Sequence, residues 1–133
     1  MADTVTNQTA FNGTRRKFVH LTGVSDGTLE SGVIKVDRSA YTDSNGAVPS
    51  TIAILSVRWN IQGYSYIKLY WHHNAADVTA QIMSGNGYEN YESFGGLRDT
   101  NTTNADAADG DILLTSVGGA SGSTYDITIE VSF

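Results

Sequence analysis

There is no cysteine anywhere in the chain, so neither a disulfide framework nor a thiolate zinc site can be built from it. Proline occurs once, at Pro49. Basic residues are scarce as well: eight Lys and Arg stand against fourteen Asp and Glu, a formal net charge of −6. Phosphate binding needs clustered Lys and Arg, so such a surface repels nucleic acid and anionic membrane. The one basic cluster, Arg15, Arg16 and Lys17, is too short to line a nucleic-acid groove and fits a solvated strand edge. No segment approaches the ~20 consecutive apolar residues of a membrane-spanning helix. The opening stretch "MADTVTNQTAFNGT" lacks the apolar core of a signal peptide. These absences lead to the expectation of a soluble chain made in the cytosol, with neither nucleic acid nor membrane as partner. Helical periodicity is missing too, beyond a few turns in any window.

What is present is a series of short runs rich in Val, Ile, Thr, Tyr and Trp, punctuated by fourteen glycines. At 133 residues the chain fits one domain. That length buries roughly two thirds of its unfolded surface, enough to fold without staples. The clearest strand is "STYDITIEVSF". Tyr125, Ile127, Ile129, Val131 and Phe133 alternate with Asp126, Thr128, Glu130 and Ser132, which puts one face in a core and the other in water. "RRKFVHLTG" sets Lys17, Val19 and Leu21 against Phe18, His20 and Thr22. After the turn "SDGT", "SGVIKVD" reads as a returning strand, so residues 15–38 are expected to form a hairpin.

Beyond the loop "YTDSNGAVPS", two interior strands follow, "TIAILSVRWNIQG" and "YSYIKLYWHH", joined at Gln62-Gly63. In the first, Leu55, Val57, Trp59 and Ile61 are expected to share a face; in the second, Ile67, Leu69 and Trp71. "VTAQIMSGNG" is a further strand and "YENYESFGGL" an aromatic edge. "RDTNTTNADAADG" is a polar loop of about a dozen residues, near the upper limit for such loops. "DILLTSVGG" and the last strand close the domain. About eight strands at regular spacing predict an all-β fold, a single-domain antiparallel β-sandwich of jelly-roll type, with a closed barrel as the alternative. Residues 1–14 form an N-terminal arm in this scheme, and residues 15–133 the sandwich.

The candidates for chemistry are few. "YIKLYWHHNAAD" brings His72 and His73 near Asp77, the residue types of a metal site or an acid–base catalyst. Neighbouring strand residues point to opposite faces, however, and cannot easily reach one ion. A third ligand would have to be His20. The expectation is a strand end and turn, not a metal centre. In the polar loop, Asp99, Asp106, Asp109 and Asp111 lie near Gly110, and calcium takes oxygen ligands from such loops. The spacing departs from the EF-hand pattern, since Asn104, Asp106 and Ala108 are followed by Asp109 rather than glycine. Whether Asp99–Asp111 binds calcium is left open by the sequence. The glycines of "SGNG" have no following Lys and helix to make a phosphate cradle. Glu89 and Glu92, three residues apart in an extended segment, diverge and cannot flank one glycosidic bond. No nucleophile motif occurs. A non-enzymatic protein without cofactor or metal is expected.

Several segments taken together, "VTNQTAFNGTRR", "SDGTLESGVIKVD", "IKLYW", "FGGLRD", "GDILLTSVG" and "GSTYDITIEVSF", resemble a family of small virion structural proteins of tailed bacteriophages, particularly marine ones. The resemblance runs over nearly the whole chain and rests on turns and strand ends, with no catalytic residues among them. It implies a particle component assembled in the host cytoplasm, a decoration or cement protein on the capsid surface. The implied partners are the major capsid protein and copies of the chain itself, as a homotrimer. A neck or tail position is the alternative within that class. The residues expected at such an interface are Val5 and Phe11 of the arm, Arg15, Arg16, Tyr41, Tyr88, Tyr91, Phe94 and Arg98. A second class of function is a glycan-binding module in which exposed aromatics such as Tyr64, Tyr66, Tyr70, Tyr88 and Tyr91 recognise a host glycan.

Overall fold

The computed structural model describes residues 4–12, 16–38, 46, 52–72, 77–98 and 111–132, with backbone alone for 4–12 and 94. The fold is all-β, built from two antiparallel sheets. Ten strands occur among the described residues: β1 (Thr4–Asn12), β2 (Arg16–Val24), β3 (Val33–Val36), β4 (Ala53–Gln62), β5 (Tyr66–Trp71), β6 (Val78–Met83), β7 (Asn86–Asn90), β8 (Leu97–Arg98), β9 (Ile112–Val117) and β10 (Thr124–Ser132). One sheet runs β1-β2-β10-β4-β7, with the short β8 also paired to β4; the other runs β3-β9-β5-β6.

Both sheets contribute to a single buried cluster. Val19, Leu21, Ile54, Val57, Ile61, Ile127, Ile129 and Val131 come from the first, and Val36, Ile67, Leu69, Trp71, Met83, Ile112 and Leu114 from the second. The period-two patterns of β5 and β10 therefore point inward as expected, since Ile67, Leu69, Trp71, Ile127, Ile129 and Val131 are all buried. Removing such side chains from water contributes roughly 1.5–3 kcal/mol each.

The structure departs from the sequence-based expectation in three places. Residues 15–38 do not form a hairpin: β2 pairs with β1 and β10, whereas β3 pairs with β9 in the other sheet. The turn chemistry is present, with Asp26 Oδ1 accepting from the Thr28 N–H at 3.0 Å. Yet the chain then crosses to the second sheet, where the Glu30 N–H donates to Ser116 Oγ and the Ser116 N–H donates to the Glu30 carbonyl, both at 3.0 Å. A local turn sets direction over a few residues; the partner strand is chosen by where the apolar face is covered.

Residues 4–12 of the expected arm run as edge strand β1 along the length of β2, with one irregularity between Thr9 and Phe11. An edge strand needs only backbone ladder bonds on one side, so the shortage of apolar side chains in this segment does not bar it. Finally, Leu55 does not share the inward face of β4. A β-bulge shifts the register so that Ser56 opposes Glu130 while Ile54 opposes Val131. Ile54 thereby takes the core position, and the Leu55 carbonyl accepts from the Tyr91 N–H at 2.7 Å.

Candidate functional site

The outer face of the six-stranded sheet is where chemically versatile side chains gather. Residues two apart on a strand share a face, and the ladder registers line them up in rows. One row is Thr22, Asp126, Asn60 and Asn86; the next is His20, Thr128, Arg58 and Tyr88; the third is Phe18, Glu130, Ser56 and Asn90. The Arg58 guanidinium lies 5.0 Å from the centroid of the Tyr88 ring, within reach of the ring's negative face. Asn90 Nδ2 donates to the Tyr88 hydroxyl at 3.0 Å.

This pair forms a ridge with a depression on each side. The larger, about 620 Å³, is lined by Arg58, Trp59, Asn60, Asn86, Gly87, Tyr88 and Asp126. The smaller, about 440 Å³, is bounded by Phe18, Ser56, Arg58, Tyr88, Thr128 and Glu130. Gly87 lets β7 lie close over Trp59: a Cβ there would sit 2.5 Å from the indole. The indole N–H donates to the Ser84 carbonyl at 3.0 Å, which fixes the ring below the larger depression.

Of the residues expected at an interface, Tyr88 is half exposed on this face. Arg16 is tied to it, with Nη1 3.1 Å from Glu130 Oε2 and 3.5 Å from Glu92 Oε1. Glu130 is itself buried and accepts from Ser56 Oγ at 3.2 Å. Arg98 is exposed on β8, where it opposes Ala53. Tyr91 lies elsewhere: its hydroxyl donates to Gln81 Oε1 on β6, joining the edges of the two sheets. Burial, with Glu89 nearby, pushes its phenol pKa up. In the backbone register Val5 opposes Gly23 and Phe11 opposes Phe18. Arg15 and Tyr41 lie outside the described residues, as does the side chain of Phe94.

The exposed-aromatic set narrows sharply. Tyr64 and Tyr70 are only 8% exposed and cannot serve as stacking platforms. The Tyr70 hydroxyl meets Thr115 Oγ1 at 3.1 Å. Tyr66, 38% exposed, belongs to the other sheet, which leaves Tyr88 as the platform on this face.

His20 and His72 do not converge. His20 Nε2 meets Asp126 Oδ1 at 2.6 Å on the outer face of the six-stranded sheet. His72 follows the last residue of β5 in the other sheet, with Nδ1 3.1 Å from Asp77 Oδ1. His73 falls outside the described residues, and so do Asp99, Asp106 and Asp109. Asp111 is buried and accepts from the Arg38 N–H at 2.8 Å. Its pKa is raised, above all by burial. Among the described residues no group of three or more His, Asp or Glu side chains is placed to hold a metal ion. Comparison with protein-family models, curated proteins and solved structures finds no match to this chain.

One ionic feature of the fold has no warning in the sequence. Lys35 is the bulged residue of β3, skipped where Ile34 opposes Leu113 and Val36 opposes Ile112. Its Nζ sits inside the domain, 2.8 Å from Glu30 Oε1, while Glu30 Oε2 accepts from the Tyr125 hydroxyl at 2.6 Å. Arg58, Asn60 and Asp126 were likewise unremarkable as sequence, because only the strand order brings them together.

Proposed function

We propose that this chain is a non-enzymatic structural component of a tailed-phage virion, a decoration or cement protein that clamps neighbouring major capsid subunits. The observation that carries the proposal is the strand order. With edge strand β1 and the two-residue β8 set aside, eight strands remain. In one sheet they follow the order first, eighth, third, sixth; in the other, second, seventh, fourth, fifth. We read this order as that of an eight-stranded jelly roll, an architecture used by viral capsid and lectin domains. It fits the jelly-roll sandwich expected from the strand pattern; the phage assignment itself rests on the resemblance to small virion proteins.

In this role the rigid two-sheet body is the spacer, and contacts repeated over a lattice turn modest affinity per copy into strong attachment. The partners are the major capsid protein and further copies of the chain as a trimer, on the outside of the particle. Strand β1 is the natural element to engage a neighbour, being an edge whose second row of backbone donors and acceptors faces away from β2.

The test uses shells that lack this component, mixed with the wild-type chain and with a variant lacking residues 1–11. Copies bound per shell are counted by sedimentation. Wild type is expected to bind, and the truncated chain to bind more weakly while remaining folded. Failure of the wild type to bind overturns the decoration assignment in favour of a neck or tail position. Equal binding keeps decoration and removes β1 from the contact.

A further inference from the structure

We infer that the outer face of the six-stranded sheet carries a binding site for a neutral saccharide of one or two rings, centred on the ridge formed by Arg58 and Tyr88. The site is a property of the isolated chain and does not depend on attachment to a capsid.

Four observations converge. Tyr88 keeps half its surface in water on an exposed strand, and its ring is held before any ligand arrives. Arg58 stacks at 5.0 Å and Asn90 grips the hydroxyl at 3.0 Å. A pre-set platform has little side-chain freedom left to lose on binding. Next, the larger depression mixes hydrogen-bonding types. Arg58 supplies donors, Asp126 supplies acceptors, and the amides of Asn60 and Asn86 supply both. Sugar hydroxyls donate and accept at once, and such a lining suits them.

The charges also balance. Arg58 and Asp126 line the same depression with opposite charges; Asp126 already meets His20 at 2.6 Å, and Arg16 is spent on Glu130. Phosphate or another strong anion would want a surplus of cations, which the described residues of this face do not supply. The same polarity argues against a protein partner, whose interface core would be apolar and poor in charge. Lastly, about 620 Å³ beside the ridge falls in the usual range of small-ligand sites, about 300–1,000 Å³. The depression is open, so much of a bound sugar stays in water. A dissociation constant on the order of 1 mM is expected, with useful strength only where many copies act together.

The experiment is saturation-transfer NMR on the purified chain with cellobiose, maltose, lactose and chitobiose at millimolar concentration, followed by amide-shift mapping. At least one disaccharide is expected to receive saturation and to shift the amides of Arg58, Gly87 and Tyr88. Tyr88→Ala should abolish the transfer, and Asn86→Ala should weaken binding at least tenfold. Tyr66→Ala, on the other sheet, should leave binding as in wild type. Thermal melts of each variant establish that the fold is kept. Silence from all four sugars overturns the inference, as does transfer that survives Tyr88→Ala. Shifts confined to residues around Tyr66 would overturn it as well. None of these outcomes bears on shell binding, so the two assignments fail separately.

Discussion

Glu30 and Lys35 meet at 2.8 Å inside the domain, with side chains 9% and 3% exposed. Their attraction has to offset the loss of hydration by both ions, and the Tyr125 hydroxyl, donating to the second carboxylate oxygen, helps it do so. The pair also spans the crossing from one sheet to the other, since Glu30 precedes β3 and Tyr125 belongs to β10.

Removing one ion should therefore be far worse than removing both. Lys35→Met leaves a buried carboxylate without its counter-charge and is expected to cost about 3–5 kcal/mol. Glu30→Gln combined with Lys35→Met should recover a substantial part of that loss. Urea unfolding of the three proteins checks it; a single-variant loss below about 1 kcal/mol would mean that water reaches the pair.

Ile129 is fully buried at the middle of β10, opposite Val19 on β2 and Val57 on β4. Ile129→Ala is expected to lower stability by about 2–5 kcal/mol, the range for truncating a large buried aliphatic side chain. Unchanged denaturation would place the core on the other face of the sheet.

At Gly87 the expected error is crowding. A methyl group there meets the Trp59 indole at 2.5 Å, and the ring is pinned by its bond to Ser84. Gly87→Ala should cost about 1–3 kcal/mol through displaced packing, visible as a lower melting temperature. No change in melting would show that the β7 edge moves freely away from Trp59.

Asp111 gives a pH signature. Burial, joined by the charge of Asp37, raises its carboxyl above the ordinary 3.8; the Arg38 N–H and the charges of Arg38 and His72 act in the opposite direction. The folded state thus holds this proton more tightly than the unfolded chain does. Its destabilising effect is absent below pH 3.8, grows as pH rises past that value, and is complete above the folded-state pKa. Asp111→Asn keeps an acceptor for the Arg38 N–H and cannot ionise. It should match wild type at low pH and become the more stable protein as pH rises, in urea midpoints taken between about pH 3 and 7. A wild-type advantage that widens with pH would reverse the sign and show the carboxylate to be the favoured form.

Where a strand has one clean apolar face, its orientation could be read directly. Tyr125, Ile127, Ile129 and Val131 alternate with polar residues, and all four are buried. The same logic failed at Ala53, Ile54 and Leu55, where three apolar residues in a row conceal the bulge that decides which one faces the core. It failed again after "SDGT", because the hydrogen bonds around Asp26 are those of a turn whether the chain returns beside β2 or crosses to β9. Glu30 and Lys35 resemble ordinary solvated charges until the crossing buries them. The Arg58–Tyr88 ridge was legible only as an exposed tyrosine. Its other members come from segments around residues 58 and 126, and nothing in a linear string says that β4 lies between β10 and β7.

The position of β10 has a consequence for biosynthesis. Of the ten described strands it comes last in sequence, yet it lies between β2 and β4, paired along its length with both. While the ribosome is still adding Thr124–Ser132, the six-stranded sheet has a gap at its centre, and the facing edges of β2 and β4 have no partner strand between them. The core cannot close progressively from the N-terminus as the chain emerges; it closes late, once the final strand is available, through contacts far apart in sequence. During that interval the two open edges are free to pair with strands of other nascent chains.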